Sequence, residues 1–158
     1  MGRSSHAARG GSDTGCMSPS TASPSPAHLP TCPCGSGAPE DSCCQPVLMG
    51  AAAVTAEALM RSRFTAFARG HVEHLLRSWH SATRPARNEL AGSLDPDRRW
   101  TRLVIHETEG GGAADSEGIV EFTAIAREAD GSKVRLRERS RFVREGGRWV
   151  YVDGDVQA

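Results

Sequence analysis

The apolar pattern of this chain changes period once, near Trp100, and that switch constrains the fold more than any other feature. Before it the spacing is helical. Ala56, Leu59, Met60, Phe64 and Phe67 share one face of a helix. Thr55 is placed to cap its start, Glu57 lies in the first turn where the helix dipole favours an anion, and Gly70 is a stop signal. Val72, Leu75, Leu76 and Trp79 then occupy i, i+3, i+4 and i+7, which predicts a second helix. Residues 81–99 are turn-rich, with a short helix expected near Asn88 to Leu94. After Trp100 the period is two. Strands are predicted at Trp100–Thr108, Gly118–Arg127, Lys133–Arg144 and Arg148–Asp153. The Gly110–Gly112 run separates the first pair, and two-residue turns are expected at Asp130-Gly131 and Gly146-Gly147. Helices first and hairpin-linked strands afterwards predict an α+β fold, an antiparallel sheet with helices on one face.

That pattern occupies residues 47–158, which hold every aromatic residue of the chain between Phe64 and Tyr151. Residues 1–30 differ: seven Ser, four Pro, four Gly and no aromatic cannot bury enough apolar surface to offset ordering entropy, which predicts a disordered tail. Met17 lies within it, so translation starting at either Met1 or Met17 is compatible with the reading. Nineteen Lys and Arg balance nineteen Asp and Glu, leaving no basic excess for nucleic acid and no polycationic segment for a membrane surface. No apolar run approaches the roughly 18 residues that span a bilayer. The Ser/Pro/Gly-rich start lacks the apolar core of a secretory signal, so a cytoplasmic location is expected.

Between these segments, residues 31–46 read TCPCGSGAPEDSCCQP and hold four of the five cysteines. The arrangement is Cys32-x-Cys34, eight residues, then Cys43-Cys44. In a reducing compartment clustered cysteines point to metal before disulfide. Four thiolates match a closed tetrahedral zinc shell, with no position left for a catalytic water, and the Gly-Ser-Gly turn lets backbone N–H groups approach the sulfurs. Redox-active thiols at Cys43-Cys44, disulfides and iron–sulfur ligation are the alternatives. Cys16 reads as a bystander.

CPCGSG…CC resembles the SEC-C zinc motif known from the C-terminus of the SecA translocation motor. That motif carries lysines between its cysteine pairs, where this chain has Ala38-Pro39-Glu40-Asp41, an acidic substitution that disfavours nucleic acid as a ligand. TAEALMRSRFTAF at 55–67, SWH at 78–80 and RERSRFVREGGRWVYVDG at 137–154 resemble the YchJ family. The resemblance spans about residues 31–156. It implies a SEC-C motif followed by a nuclear transport factor 2-like (cystatin-like) roll, N-terminal helices on a curved antiparallel sheet. It implies no single activity, because enzymes, ligand binders and adaptors share that roll.

Two charged residues interrupt the apolar faces. Arg63 sits within the stripe of the first helix, and on the third strand Glu138 and Ser140 share a face with Val134, Leu136 and Phe142, opposite Lys133 and the arginines from Arg135 to Arg141. Two-residue turns would set Glu138 opposite Thr123 and Ser140 opposite Glu121, with Trp149 and Tyr151 on the same face. Because an unpaired buried charge is costly, an Arg63–Glu138 pair is expected, in a patch with Glu121, Ser140, Trp79 and Trp149 in the roll pocket. His80, at the end of the second helix, is a candidate neighbour. His106 and Glu107 have no evident partner.

Two functions follow from these residues. One is a non-enzymatic adaptor or ligand-binding module, in which the zinc knob contacts a protein partner and the pocket takes a small molecule. The other is an isomerase, dehydratase or hydrolase with Glu138 or Glu121 as buried base and Tyr151 or His80 as proton donor. A homodimer through the sheet would need acids to balance the arginine strip. No G-x-S-x-G elbow and no phosphate-cradling glycine loop is present. Pocket depth separates the readings: an apolar cavity reaching Glu138 favours a ligand, and one plugged by Trp79, Trp149 and Phe142 favours an adaptor.

Overall fold

The structure is a computed structural model and describes residues 30–157. The predicted disordered tail and Cys16 lie outside the described residues, apart from Pro30 at the tail's end. The first described segment is a loop carrying the cysteines, with a 3-10 turn at Glu40–Ser42 and the short helix α1 (Gln45–Leu48). Helix α2 (Ala56–Arg69) begins as its sequence dictates: Thr55 Oγ1 accepts from the Ala58 amide at 3.0 Å. It ends at Gly70, whose φ of 69° is the left-handed C-cap. Helices α3 (Val72–Arg77) and α4 (Arg87–Ser93) follow.

The remainder is a four-stranded antiparallel meander, β1 (Arg99–Gly110), β2 (Glu117–Arg127), β3 (Lys133–Glu145) and β4 (Arg148–Gln157), in the spatial order β1-β2-β3-β4. α2 lies against β1, β2 and β4, so the expected α+β arrangement is the observed one. Register shifts interrupt the ladders in β1 between Trp100 and Arg102 and between Ile105 and Glu107, and in β4 at Val152, where the consecutive Arg141 and Phe142 of β3 pair with Asp153 and Tyr151.

The register between β2 and β3 corrects the sequence reading. The connection is a three-residue loop, Ala129-Asp130-Gly131, closed by Glu128 N–H to Ser132 O at 2.9 Å and Gly131 N–H to Glu128 O at 2.9 Å. Gly131 takes φ 86°, and Asp130 Oδ1 accepts from the Ser132 amide at 2.8 Å, so the extra residue is held by its own turn chemistry. Adding one residue to the loop moves the partner strand by one residue and reverses which side chains share a face. Glu138 therefore pairs with Phe122 and Ser140 with Val120, while Glu121 and Thr123 pair with Arg139 and Arg137 on the outer face. At Gly146-Gly147 the turn has the expected two residues, and Phe142 stands opposite Tyr151 before the register shifts at Arg141.

A polar tie joins α2 to α3. His74 is 3% exposed. Its Nε2 lies 2.9 Å from Ser62 Oγ and its Nδ1 3.2 Å from Arg77 Nη2. Ser62 donates onward to Leu59 O, and Arg77 Nη2 can only donate, which leaves Nδ1 as acceptor and a neutral ring with its proton on Nε2. Burial, reinforced by Arg77 and Arg63, pulls the His74 pKa down to about 3. The unfolded chain binds that proton near pH 6.5, so stability is intact above 6.5 and falls toward pH 3, by roughly 1.4 kcal/mol per unit. Denaturant unfolding between pH 7 and 4 should show this slope, and His74→Gln should flatten the part of it above the carboxylate range.

Candidate metal centre and ligand cavity

The sulfurs of Cys32, Cys34, Cys43 and Cys44 all lie within 4.8 Å of one another. Cys34 Sγ is 3.5 Å from Cys43 Sγ, which is 3.9 Å from Cys44 Sγ. A tetrahedron with metal–sulfur bonds of about 2.3 Å has edges of about 3.8 Å, so the quartet has the size of a single-ion shell. The protonation pattern agrees. Cys34, hydrogen-bonded by the Cys44 thiol, has its pKa lowered to about 4, while the same contact raises that of Cys44 and burial raises that of Cys43. Four sulfurs this close cannot all ionise without a cation among them. Ser36 Oγ, 3.1 Å from Cys43 Sγ, and Thr65 Oγ1, 3.6 Å from Cys32 Sγ, are the outer partners that orient the ligands. The four cysteines can hold a metal.

This loop is docked rather than dangling. Cys32, Cys34 and Cys44 are buried in one cluster with α2 and the sheet. Arg61 of α2 donates to Cys34 O at 2.9 Å, and Arg69 at the end of α2 pairs with Glu40 at 2.6 Å. The sequence suggests an acidic knob; half of that acidity is neutralised in place. Thr65, Arg61 and Arg69 are partners of the loop that sequence reasoning misses. The signal available is that the side of α2 away from the apolar stripe carries the short Ser62, Thr65 and Ala66 where a solvent-facing side would ordinarily carry long charged residues.

The other face of α2 borders a cavity of about 250 Å³. Met60, Phe64, Phe67, Trp100, Phe122 and Leu136 form its apolar wall, and Arg63, Trp79, Glu138, Ser140 and Tyr151 its polar end. Glu138 Oε1 accepts from Tyr151 Oη and from Ser140 Oγ, both at 2.8 Å. Burial, with Glu138 beside it, raises the Tyr151 pKa, so the phenol stays protonated at neutral pH. Gly154 of β4 makes room for this carboxylate: a Cβ there would collide with Glu138. Arg63 is 2% exposed. Its Nη1 donates to Leu75 O at 3.0 Å and Ser78 Oγ at 2.7 Å, tying α2 to the end of α3. Its guanidinium carbon lies 4.8 Å from the Trp79 ring centre and 4.6 Å from that of Tyr151. The Trp79 Nε1 atom is buried without a hydrogen-bond partner among the described residues.

The expected patch is thus gathered in part. Arg63, Glu138, Ser140, Trp79 and Tyr151 meet at the cavity. The expected Arg63–Glu138 ion pair is not formed: among the described residues no Arg63 nitrogen lies within 4.0 Å of a carboxylate oxygen, because the end of α3 and two aromatic rings hold the guanidinium and two hydroxyls hold the carboxylate. Glu121 leaves the patch with the register correction and faces Arg137 at 3.6 Å. Trp149 is buried elsewhere, its indole donating to Val54 O at 3.2 Å. His80 lies away from the cavity, with Nε2 3.5 Å from Glu145. His106 pairs with Thr123 at 2.7 Å, and Glu107 with Arg139 at 3.5 Å. The arginine strip finds its acids within the chain: Arg139 reaches Glu109 at 2.9 Å, and Arg141 reaches Asp153 at 2.6 Å and Asp155 at 2.9 Å.

The sequence pattern of the YchJ middle NTF2-like domain matches residues 55–154. The chain belongs to the YchJ family. A UPF0225 protein of Streptomyces coelicolor is 50% identical over 127 residues, 80% of this chain and 95% of that one. A UPF0225 protein of Deinococcus radiodurans is 45% identical over 123 residues, 77% of this chain and 86% of that one. The solution structure of a SEC-C motif containing protein from Rhodopseudomonas palustris superposes with a TM-score of 0.71 at 30% identity, over 80% of this chain and 98% of that one. A crystal structure of a SEC-C motif containing protein from Psychrobacter arcticus, 24% identical, shares the fold with a TM-score of 0.66 over 81% of this chain and 83% of that one. Among the described residues no helix is long and apolar enough to cross a membrane.

In this YchJ-family chain the carboxylate of Glu138 is held by hydroxyl donors rather than by a buried cation. Glu138→Gln keeps an acceptor oxygen for Tyr151 and Ser140, so it should cost no more than about 1.5 kcal/mol. Breaking a buried ion pair would cost about 3–5 kcal/mol. Urea unfolding of the variant measures the difference.

Proposed function

We propose that the protein binds a small, largely apolar molecule in the cavity beneath α2, and that a structural zinc in the four-cysteine loop braces the helix forming its roof. The observation that carries this reading is the cavity itself: an aromatic wall ending in a few convergent polar groups has the character of a small-molecule site, somewhat smaller than the usual size of about 300–1,000 Å³. It reaches Glu138, and Phe142 and Trp149 do not plug it. Zinc is favoured by the sulfur-only donor set, the closed shell of four and the compactness of the quartet, which suits one ion better than a cluster of several irons. Docking of a protein partner on the metal loop has less support, since Glu40 is engaged by Arg69 and three of the four cysteines face the domain.

Proton transfer at Glu138 is the second reading. What favours it is a protonated Tyr151 phenol 2.8 Å from that carboxylate, a donor beside an acceptor at the end of an apolar cavity.

Two measurements test the main reading. Elemental analysis of purified protein should give one zinc per chain, and Cys32→Ser and Cys44→Ser should each lose it; unchanged zinc in both variants refutes the site. Titration of the zinc-loaded protein with phenol and indole, followed by calorimetry, should saturate. A ligand at 100 times its Kd should stabilise the fold by about 2.7 kcal/mol. Ala124→Phe, which fills the cavity from β2, should abolish both effects. Absence of saturable binding to the unaltered protein would end the ligand reading.

A further inference from the structure

Arg63 is more than a structural tie. A guanidinium carries five N–H donors and no acceptor. Here one nitrogen, Nη1, makes both protein hydrogen bonds, to Leu75 O and Ser78 Oγ. Nη2 and Nε have no acceptor among the described residues, although the side chain is almost wholly buried and lines the cavity. The nearest compensation is the faces of Trp79 and Tyr151, which attract a cation without accepting its remaining protons in line. On the same wall the indole N–H of Trp79 is the one side-chain polar atom among the described residues that is fully enclosed without a partner, so Nη2 and Nε of Arg63 keep contact with the cavity space. Burial lowers the Arg63 pKa to about 10, against the opposing pull of Tyr151 and Glu138, so the group is still a cation at neutral pH. Glu138 shares the cavity, yet its Oε1 is engaged by two hydroxyls and the carboxylate does not reach Arg63. Donors that border a cavity in this way, a charged pair above all, are open to whatever fills it, water or ligand.

We infer that Arg63 anchors the head group of an anionic ligand: the cavity takes a small aromatic monocarboxylate, its oxygens on the free guanidinium donors and its ring among Phe64, Phe67 and Trp100. A carboxylate suits this end because it is planar, has two acceptor oxygens and matches the guanidinium fork. A single negative charge suits it because Glu138 already places one in the same space. The inference rests on the ligand-binding reading above and adds the chemistry of the ligand.

The test compares 3-phenylpropionate with its neutral near-isostere 3-phenylpropanamide on the zinc-loaded full chain by calorimetry. The carboxylate should bind at least about tenfold more tightly, as expected for a charged hydrogen bond in a desolvated site. In Arg63→Met the preference should fall to near unity. A measurement that needs no variant accompanies it: the Arg63 side-chain Nε–Hε resonance, assigned through its own side-chain carbons in the unaltered protein, should shift with the carboxylate and stay in place with the amide. Equal binding of the two probes by the unaltered protein, or a preference unchanged in Arg63→Met, overturns the anion anchor while leaving a ligand cavity. Failure of both probes, and of phenol and indole, overturns the cavity reading itself.

Discussion

Helix α2 is buried on two sides, and the rest of the molecule is arranged around that constraint. One side carries Thr65 and Arg61 to the cysteine loop, and the other carries Met60, Arg63, Phe64 and Phe67 to the cavity. A helix burying two faces needs polar residues satisfied inside the protein. Ser62 is satisfied from α3, Arg63 is tied to the same helix, and Thr65 meets the sulfur cluster. The metal loop cannot bury an apolar core of its own. Coordination of a metal by its four cysteines would supply the ordering energy, roughly 10–16 kcal/mol of apparent binding in comparable structural sites. Because the loop is docked, that energy would also position α2 over the sheet.

The two faces of the sheet divide the charges. The outer face pairs arginines on β3 with acids on β1 and β4, exposed contacts each contributing little. The inner face holds one cation and one carboxylate in apolar surroundings, each hydrogen-bonded to neutral partners. Keeping them apart leaves room between them. A direct Arg63–Glu138 pair would have closed the polar end of the cavity, and in the proposed reading the separation is what leaves room for a ligand.

Much of this was legible along the chain. The cap at Thr55, the stop at Gly70, the change of period and the face of β3 that carries Glu138 are local facts, written in side-chain spacing within a few residues. The four metal-ligand candidates were legible for the same reason, since coordination by one loop depends on short-range spacing. Arg63 was recognisable as anomalous because a charge in an apolar stripe must have a reason, but its neighbours were not.

Sequence alone determined the α+β class, the sulfur quartet and the presence of charge inside the roll, because each follows from local periodicity or composition. Tertiary structure alone decided what those charges meet. One additional residue in the Ala129-Asp130-Gly131 loop moved Glu121 and Thr123 to the outer face, since strand side chains alternate with period two and a shift of one exchanges the faces. The placement of α3 decided that Arg63 would find a helix end and two rings instead of a carboxylate, a contact between segments whose separation no spacing along the chain encodes.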